Sequence, residues 1–158
     1  MRSSVRPPVE QDLNGADRAA RVPLGLLVVI GGFLGAVLRY GISLMMPWEA
    51  TAGFPWSTWI VNMVGSGFLS WLYAWLHMRP DVAPVWKSLL GTGVAGAFTT
   101  FSTFSMESVL LVEQGLVDIA LLYVAASLLG GLLCAWIGFL CGSRRTSRST
   151  SKNKGETR

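Results

Sequence analysis

Residues 91–108 read GTGVAGAFTTFSTFSMES, and only a few kinds of fold can hold such a stretch. It sits inside a longer run, Val85 to Gln114, that exceeds a single helical crossing of a bilayer by about ten residues. Gly91, Gly93 and Gly96 precede Thr99 and Thr100, so the run is expected to be a membrane span broken near its middle. A helix interrupted at Gly93 and Gly96 leaves carbonyls without intrahelical partners. Irregular backbone at that depth survives only inside protein or beside water or an ion. Freed carbonyls are cation ligands. The hydroxyls of Thr99, Thr100, Ser102, Thr103 and Ser105 surround two rings, Phe101 and Phe104, which are three apart and therefore share a helix face. Hydroxyl donors and electropositive ring edges suit a small hard anion.

Three further spans are expected around this one. Residues 24–46 form an apolar run of about the 20 residues a crossing needs, too long for the core of a signal peptide. Pro47 through Pro55 end it. Trp56 to Met78 make the second, with Trp56, Trp59 and Trp75 suited to aromatic belts, and Arg79, Pro80 and Asp81 close it. Leu116 to Cys141 make the fourth. The expected fold is an all-α membrane protein with four transmembrane helices in residues 23–142, the third broken near its middle. A polar N-terminal tail covers residues 1–22, and a basic C-terminal tail, residues 143–158, is expected to be disordered.

Composition excludes an ordinary soluble domain. The 158 residues are 51% hydrophobic and only 14% charged, with a mean hydropathy of +0.47; soluble domains carry roughly a quarter charged residues. Of 22 charged side chains, seven lie in residues 1–21 and seven in 143–158. With four spans, the N-terminus, the loop at 79–87 and the C-terminus share one side and hold four, two and six Lys or Arg; the opposite loops hold none. The positive-inside rule then puts both termini in the cytoplasm of a chain in the cell's inner (plasma) membrane. Nothing aromatic is interleaved with the basic tail, so no nucleic-acid partner is expected.

Polar groups at depth need partners, because hydrocarbon supplies none. Asn62, near the start of the second span, offers two amide donors. Arg39 lies about two turns from the end of the first span, where snorkelling to the surface and a functional role explain it equally well. Small residues at four-residue spacing, Gly31 and Gly35, then Ser127, Gly131 and Ala135, read as stripes for close helix packing. His77 lacks ligand partners, and Cys134 and Cys141, seven apart on one helix, are too distant for a disulfide. Without a histidine or carboxylate cluster in the spans, no enzyme is expected.

Three motifs, GGFLGAVLRY in the first span, VNMVGS in the second and GTGVAGAFTTFSTFSMES in the third, resemble the Fluc fluoride channels, also called CrcB. The resemblance covers residues 24 to 141. It implies a passive fluoride channel that lowers fluoride toxicity, built as an antiparallel dual-topology dimer with two pores and a structural, untransported sodium ion at the interface. By motif, the carbonyls of Gly96 and Thr99 would hold that Na+, and Phe101 and Phe104 would line the fluoride path with Asn62, Ser102 and Thr103 as donors. Tyr123 and Ser127 would continue a polar track on the fourth span. Arg39 and Glu107 match residues expected at the vestibules or in a structural role. Ala97 replaces the family's usual second glycine, and Gly67 stands where a bulky residue is common.

The partners so implied are the lipid bilayer, the fluoride ion and a second protomer in opposite orientation. That protomer is either an identical copy or a separately encoded homologue. Twelve of thirteen Lys and Arg lie on one expected side or its tails, which favours a fixed orientation and hence a heterodimer. The alternative function is a small multidrug transporter, also of four spans. It needs an acidic residue midway along its first span, where this chain has Arg39 and no Asp or Glu.

Overall fold

A computed structural model describes residues 23–49, 53–77 and 83–155, with side chains through Ser143. Every regular element among the described residues is helical. Helix α1 spans Leu24–Met45 and α2 spans Trp56–Leu76; α3 is a single turn at Ala83–Trp86 that widens into a π-helical segment, Lys87–Ala95. A short turn, α4 at Gly96–Phe98, then gives way to α5, Phe101–Glu113, and α6, Val117–Gly155.

Local chemistry sets these boundaries. Pro23 and Pro55 precede α1 and α2, where a residue without an N–H leaves no donor orphaned. α5 ends in a Schellman turn: Gly115, at φ +78°, gives its N–H to the Val112 carbonyl (3.0 Å), and the Leu116 N–H reaches Leu111 (2.9 Å). The positive φ at that position needs glycine, and it turns the chain directly into α6.

Two helices, Leu24–Met45 and Val117–Ser143, are long and apolar enough to cross a membrane. Only 11% and 6% of their most apolar windows are buried, so neither is the core helix of a soluble domain. Phe33, Leu34 and Leu38 on α1 and Leu128, Leu129 and Leu132 on α6 are largely exposed, an arrangement that suits a lipid or protein neighbour rather than water. α2 is more enclosed. Val61, Leu72 and Leu76 are buried, and Leu72 and Leu76 pack with Phe68, Trp71, Trp75 and, from the π-helical segment, Leu90.

Packing falls into two pairs, α2 on α6 and α1 on the π-helical segment. Both use glycine to bring backbones together. A Cβ at Gly31 or Gly35 would run into the carbonyl oxygens of Leu89 and Val94, and one at Gly93 would meet the Gly31 Cα at 2.9 Å. On the other pair, a Cβ at Gly138 would collide with the Gly67 carbonyl. At Gly67 itself, a position expected to be bulky, a Cβ would meet the Cys134 carbonyl at 3.3 Å, so a side chain there would press on α6. Gly131, within the expected stripe on α6, makes only ordinary contacts with Met63 and Ser66.

One expectation is corrected. Gly93 and Gly96 lie within helical backbone, and the chain leaves it three residues later: Thr99 has ψ 153° and Thr100 has φ −143° and ψ 121°. Glycine signals both a break and a close approach, and here Gly93 serves the approach. Beyond Gly142 the backbone of α6 continues as helix to Gly155. No proline interrupts residues 143–155, and Arg and Lys are good helix formers.

Candidate functional site

The extended residues Thr99 and Thr100 divert the hydrogen bonds that a continuous helix would make. The Thr100 N–H, which would close on the Gly96 carbonyl, instead donates to Asn62 Oδ1 at 2.9 Å. The Thr103 N–H, which would close on the Thr99 carbonyl, donates to Thr100 Oγ1 at 3.1 Å, so Thr100 is the N-cap of α5. The carbonyls of Gly96 and Thr99 thereby lose their helical donors. Two neighbouring carbonyls are satisfied from other helices: Ala97 accepts from Arg39 Nε (3.2 Å) and Thr100 from Asn62 Nδ2 (3.1 Å).

Arg39 therefore does more than snorkel. Its cation sits at the C-terminal end of the helical stretch before the break, where the helix dipole favours positive charge. Asn62, one turn and a half into α2, spends one amide hydrogen and its oxygen on Thr100. Its second amide hydrogen has no protein partner among the described residues.

That remaining hydrogen belongs to a side chain lining a cavity of about 260 Å³. Asn62, Thr99, Phe101, Phe104 and Ser127 all face it, together with Met63, Ser66 and Leu128. Ser127 Oγ is buried and has no hydrogen-bond partner among the described residues. A buried hydroxyl left unpaired costs stability unless something else meets it, so the atom marks a place for a ligand or water. Phe101 and Phe104 stand with centroids 6.0 Å apart and planes inclined at 40°; Phe101 is 80% exposed and Phe104 is half-buried. Polar side chains and two aromatic rings thus line one space from α2, α5 and α6.

The other expected site residues lie elsewhere. Thr103 lines a second cavity, of about 200 Å³, with Arg39, Thr58 and Thr100; its hydroxyl accepts from Thr100 Oγ1 at 2.9 Å. Ser102 is exposed, 3.3 Å from the Thr100 hydroxyl, and lines neither cavity. Tyr123 is fully buried, its ring against Phe54 and Phe104 and its hydroxyl donating to Glu107 Oε2 at 2.7 Å. Glu107 is buried as well, and Thr58 donates to its Oε1 at 2.8 Å. The carboxylate is thus enclosed between α2, α5 and α6 and lines neither cavity. Thr58 went unnoticed in the sequence; the only signal was a hydroxyl one turn before Asn62 on the same helix.

A family model described as CrcB-like protein, Camphor Resistance (CrcB), matches residues 26–139, which include the Asn62–Thr100 pair, both cavities and the Glu107 cluster. The chain belongs to the CrcB family. Among CrcB relatives it is similar to the fluoride-specific ion channel FluC 2 of Bacillus subtilis, 49% identical over 117 residues that cover 74% of this chain and 86% of that protein. It is also similar to FluC 2 of Geobacillus kaustophilus (46% over 114 residues, 72% and 88%) and to FluC of Thermus thermophilus (44% over 117 residues, 74% and 91%). Together with its two exposed apolar helices, CrcB membership makes this chain a membrane protein.

Proposed function

We propose that this chain forms a fluoride-selective channel through which cytoplasmic fluoride leaves passively. One observation carries the reading: Ser127, whose buried hydroxyl has no partner among the described residues, lines the same cavity as Asn62, which keeps a spare amide hydrogen, and as the Phe101 and Phe104 rings. Fluoride is small and tightly hydrated, so a path for it must replace water with short donors and exclude larger halides by width. An amide, a hydroxyl and two ring edges are groups of that kind. The relatives named as fluoride-specific channels support the same reading and do not favour the drug-transporter alternative. An inside-negative potential drives an anion outward by about 2.3 kcal/mol per 100 mV, so no energy-coupling machinery is required.

The reading extends to the assembly. Four spans cross the membrane, α3 through α5 together forming the broken third, and two protomers pair in opposite orientations. The freed Gly96 and Thr99 carbonyls fit a hard cation by their chemistry, and Gly96 is exposed, with nothing nearer than 3.9 Å to a Cβ placed there. These carbonyls of both protomers would hold a structural Na+, which would supply a fixed positive charge at the interface. The charge bias supports cytoplasmic termini and, as partner, a separately encoded homologue of opposite orientation.

Fluoride efflux from vesicles tests this, with the chain reconstituted alone and together with that homologue. Paired chains are expected to pass fluoride and retain chloride, and Phe101→Ile in this chain to reduce the flux without admitting chloride. Equal leakage of both halides, or a flux indifferent to Phe101→Ile and Ser127→Ala, would overturn the reading.

A further inference from the structure

The last helix continues where its apolar stretch stops. Val117–Ser143 is 27 residues, or about 40 Å at a rise of roughly 1.5 Å per residue. The hydrocarbon core is about 30 Å thick and the whole bilayer with headgroups about 40–45 Å, so Ser143 falls within the headgroup layer. The backbone remains helical through Gly155.

Over this extension the helical register sorts charge. At about 100° per residue, Arg144, Arg145, Arg148 and Lys152 fall within a sector of about 100°. The hydroxyl-bearing residues from Thr146 to Ser151 fall outside it, as does Lys154, and residues 144–155 contain no acidic residue. Arg144, Arg145 and Arg148 lie within about 8 Å of Ser143 along the axis, which is about one Debye length at physiological salt; Lys152 extends the row by one further turn.

We propose that this stripe docks on anionic lipid headgroups of the leaflet beside the C-terminal end of α6. Charge complementarity identifies the occupant: a basic residue near an anionic membrane surface strengthens association roughly fivefold, and four on one sector act together. Orientation by positive charge alone needs no common sector, whereas contact with a surface does. The stripe lies beyond residues 26–139, so it belongs to this chain and is no part of the matched family core.

Hydrogen exchange on the full chain in nanodiscs tests the proposal. Amides of residues 144–155 are expected to exchange about tenfold more slowly in discs containing phosphatidylglycerol than in phosphatidylcholine alone. The difference should vanish in about 1 M NaCl, where the Debye length is about 3 Å, and in the combined variant R144Q/R145Q/R148Q/K152Q. Unchanged exchange in α2 would show that this variant is folded. Equal rates in both discs, the outcome expected if a second copy of the chain covers the stripe, would overturn the proposal; so would a lipid effect that survives in the combined variant. Exchange involves no transport, so failure of the channel reading would leave this result standing.

Discussion

Asn62 and Thr100 hold each other through two hydrogen bonds of opposite direction, the Thr100 N–H to Oδ1 at 2.9 Å and Nδ2 to the Thr100 carbonyl at 3.1 Å. The pair replaces at the break what a helical turn would have supplied on either side of it. One side chain therefore both satisfies the irregular backbone and presents a donor to the cavity beside it.

Asn62→Asp separates these duties. The acceptor for the Thr100 N–H is retained, but an oxygen would face the Thr100 carbonyl where a donor stood. Loss of that donor leaves the carbonyl unsatisfied, at a cost of about 1–3 kcal/mol. Thermal unfolding in detergent should shift downward accordingly, and fluoride flux should be abolished because a carboxylate repels an anion. Wild-type flux in this variant would remove Asn62 from the path.

Ser127→Ala should dissociate stability from transport. Its hydroxyl has no partner to lose among the described residues, so unfolding should be unchanged or slightly later. A donor to an ion contributes about 1.5–3 kcal/mol, and flux should fall about tenfold or more. A large drop in stability with flux preserved would make the hydroxyl a structural group.

Glu107 accepts from both Thr58 and Tyr123 in a buried cluster joining three helices. Tyr123→Phe and Thr58→Val should each destabilise by about 1–3 kcal/mol, since each leaves a buried carboxylate short of a partner. The double variant should not be the sum of the two, because both act on one group. Denaturation of the four members of the cycle measures that coupling, and strict additivity would show that the partners act independently.

The two kinds of glycine in α1 make a stability test. Gly35→Ala would push a methyl into the Val94 carbonyl, a rigid backbone atom, and should destabilise by about 1–3 kcal/mol. At Gly41 a methyl meets nothing within 4 Å, and the gain in helix propensity should stabilise by up to about 1 kcal/mol. Opposite signs are expected in unfolding measurements. Similar losses at both positions would mean that the α1 contact with the π-helical segment does not control stability.

This contrast also marks what the sequence could and could not reveal. The start of α2 at Trp56 and the extent of α1 followed from hydropathy and proline, because those signals are local. The grouping of Ser127 with Asn62 and the two rings was legible only through the resemblance, because small-residue spacing alone reads Ser127 as part of a packing stripe. The break was expected at Gly93 and Gly96 because nothing local distinguishes a glycine that ends a helix from one that admits a neighbour, here Gly31. The burial of Glu107 rests on Thr58, 49 positions away, and no spacing announces such a pairing.

Orientation offers the sharpest test of the assembly. Ten of the thirteen Lys and Arg lie in the two tails, four before residue 22 and six after residue 143, so the bias resides there more than in the loops. A chain held in one orientation cannot pair with an inverted copy of itself, and vesicles containing it alone should pass no fluoride. Replacing the tail Lys and Arg by Ser leaves only Arg79 and Lys87 in the shared loop, a bias weak enough to permit insertion both ways. Cysteine-accessibility labelling at an added residue in that loop should then report both orientations, and transport by the single chain should appear with them. Mixed insertion without transport would mean that opposite orientation alone does not complete the path, and that the partner supplies residues this chain lacks.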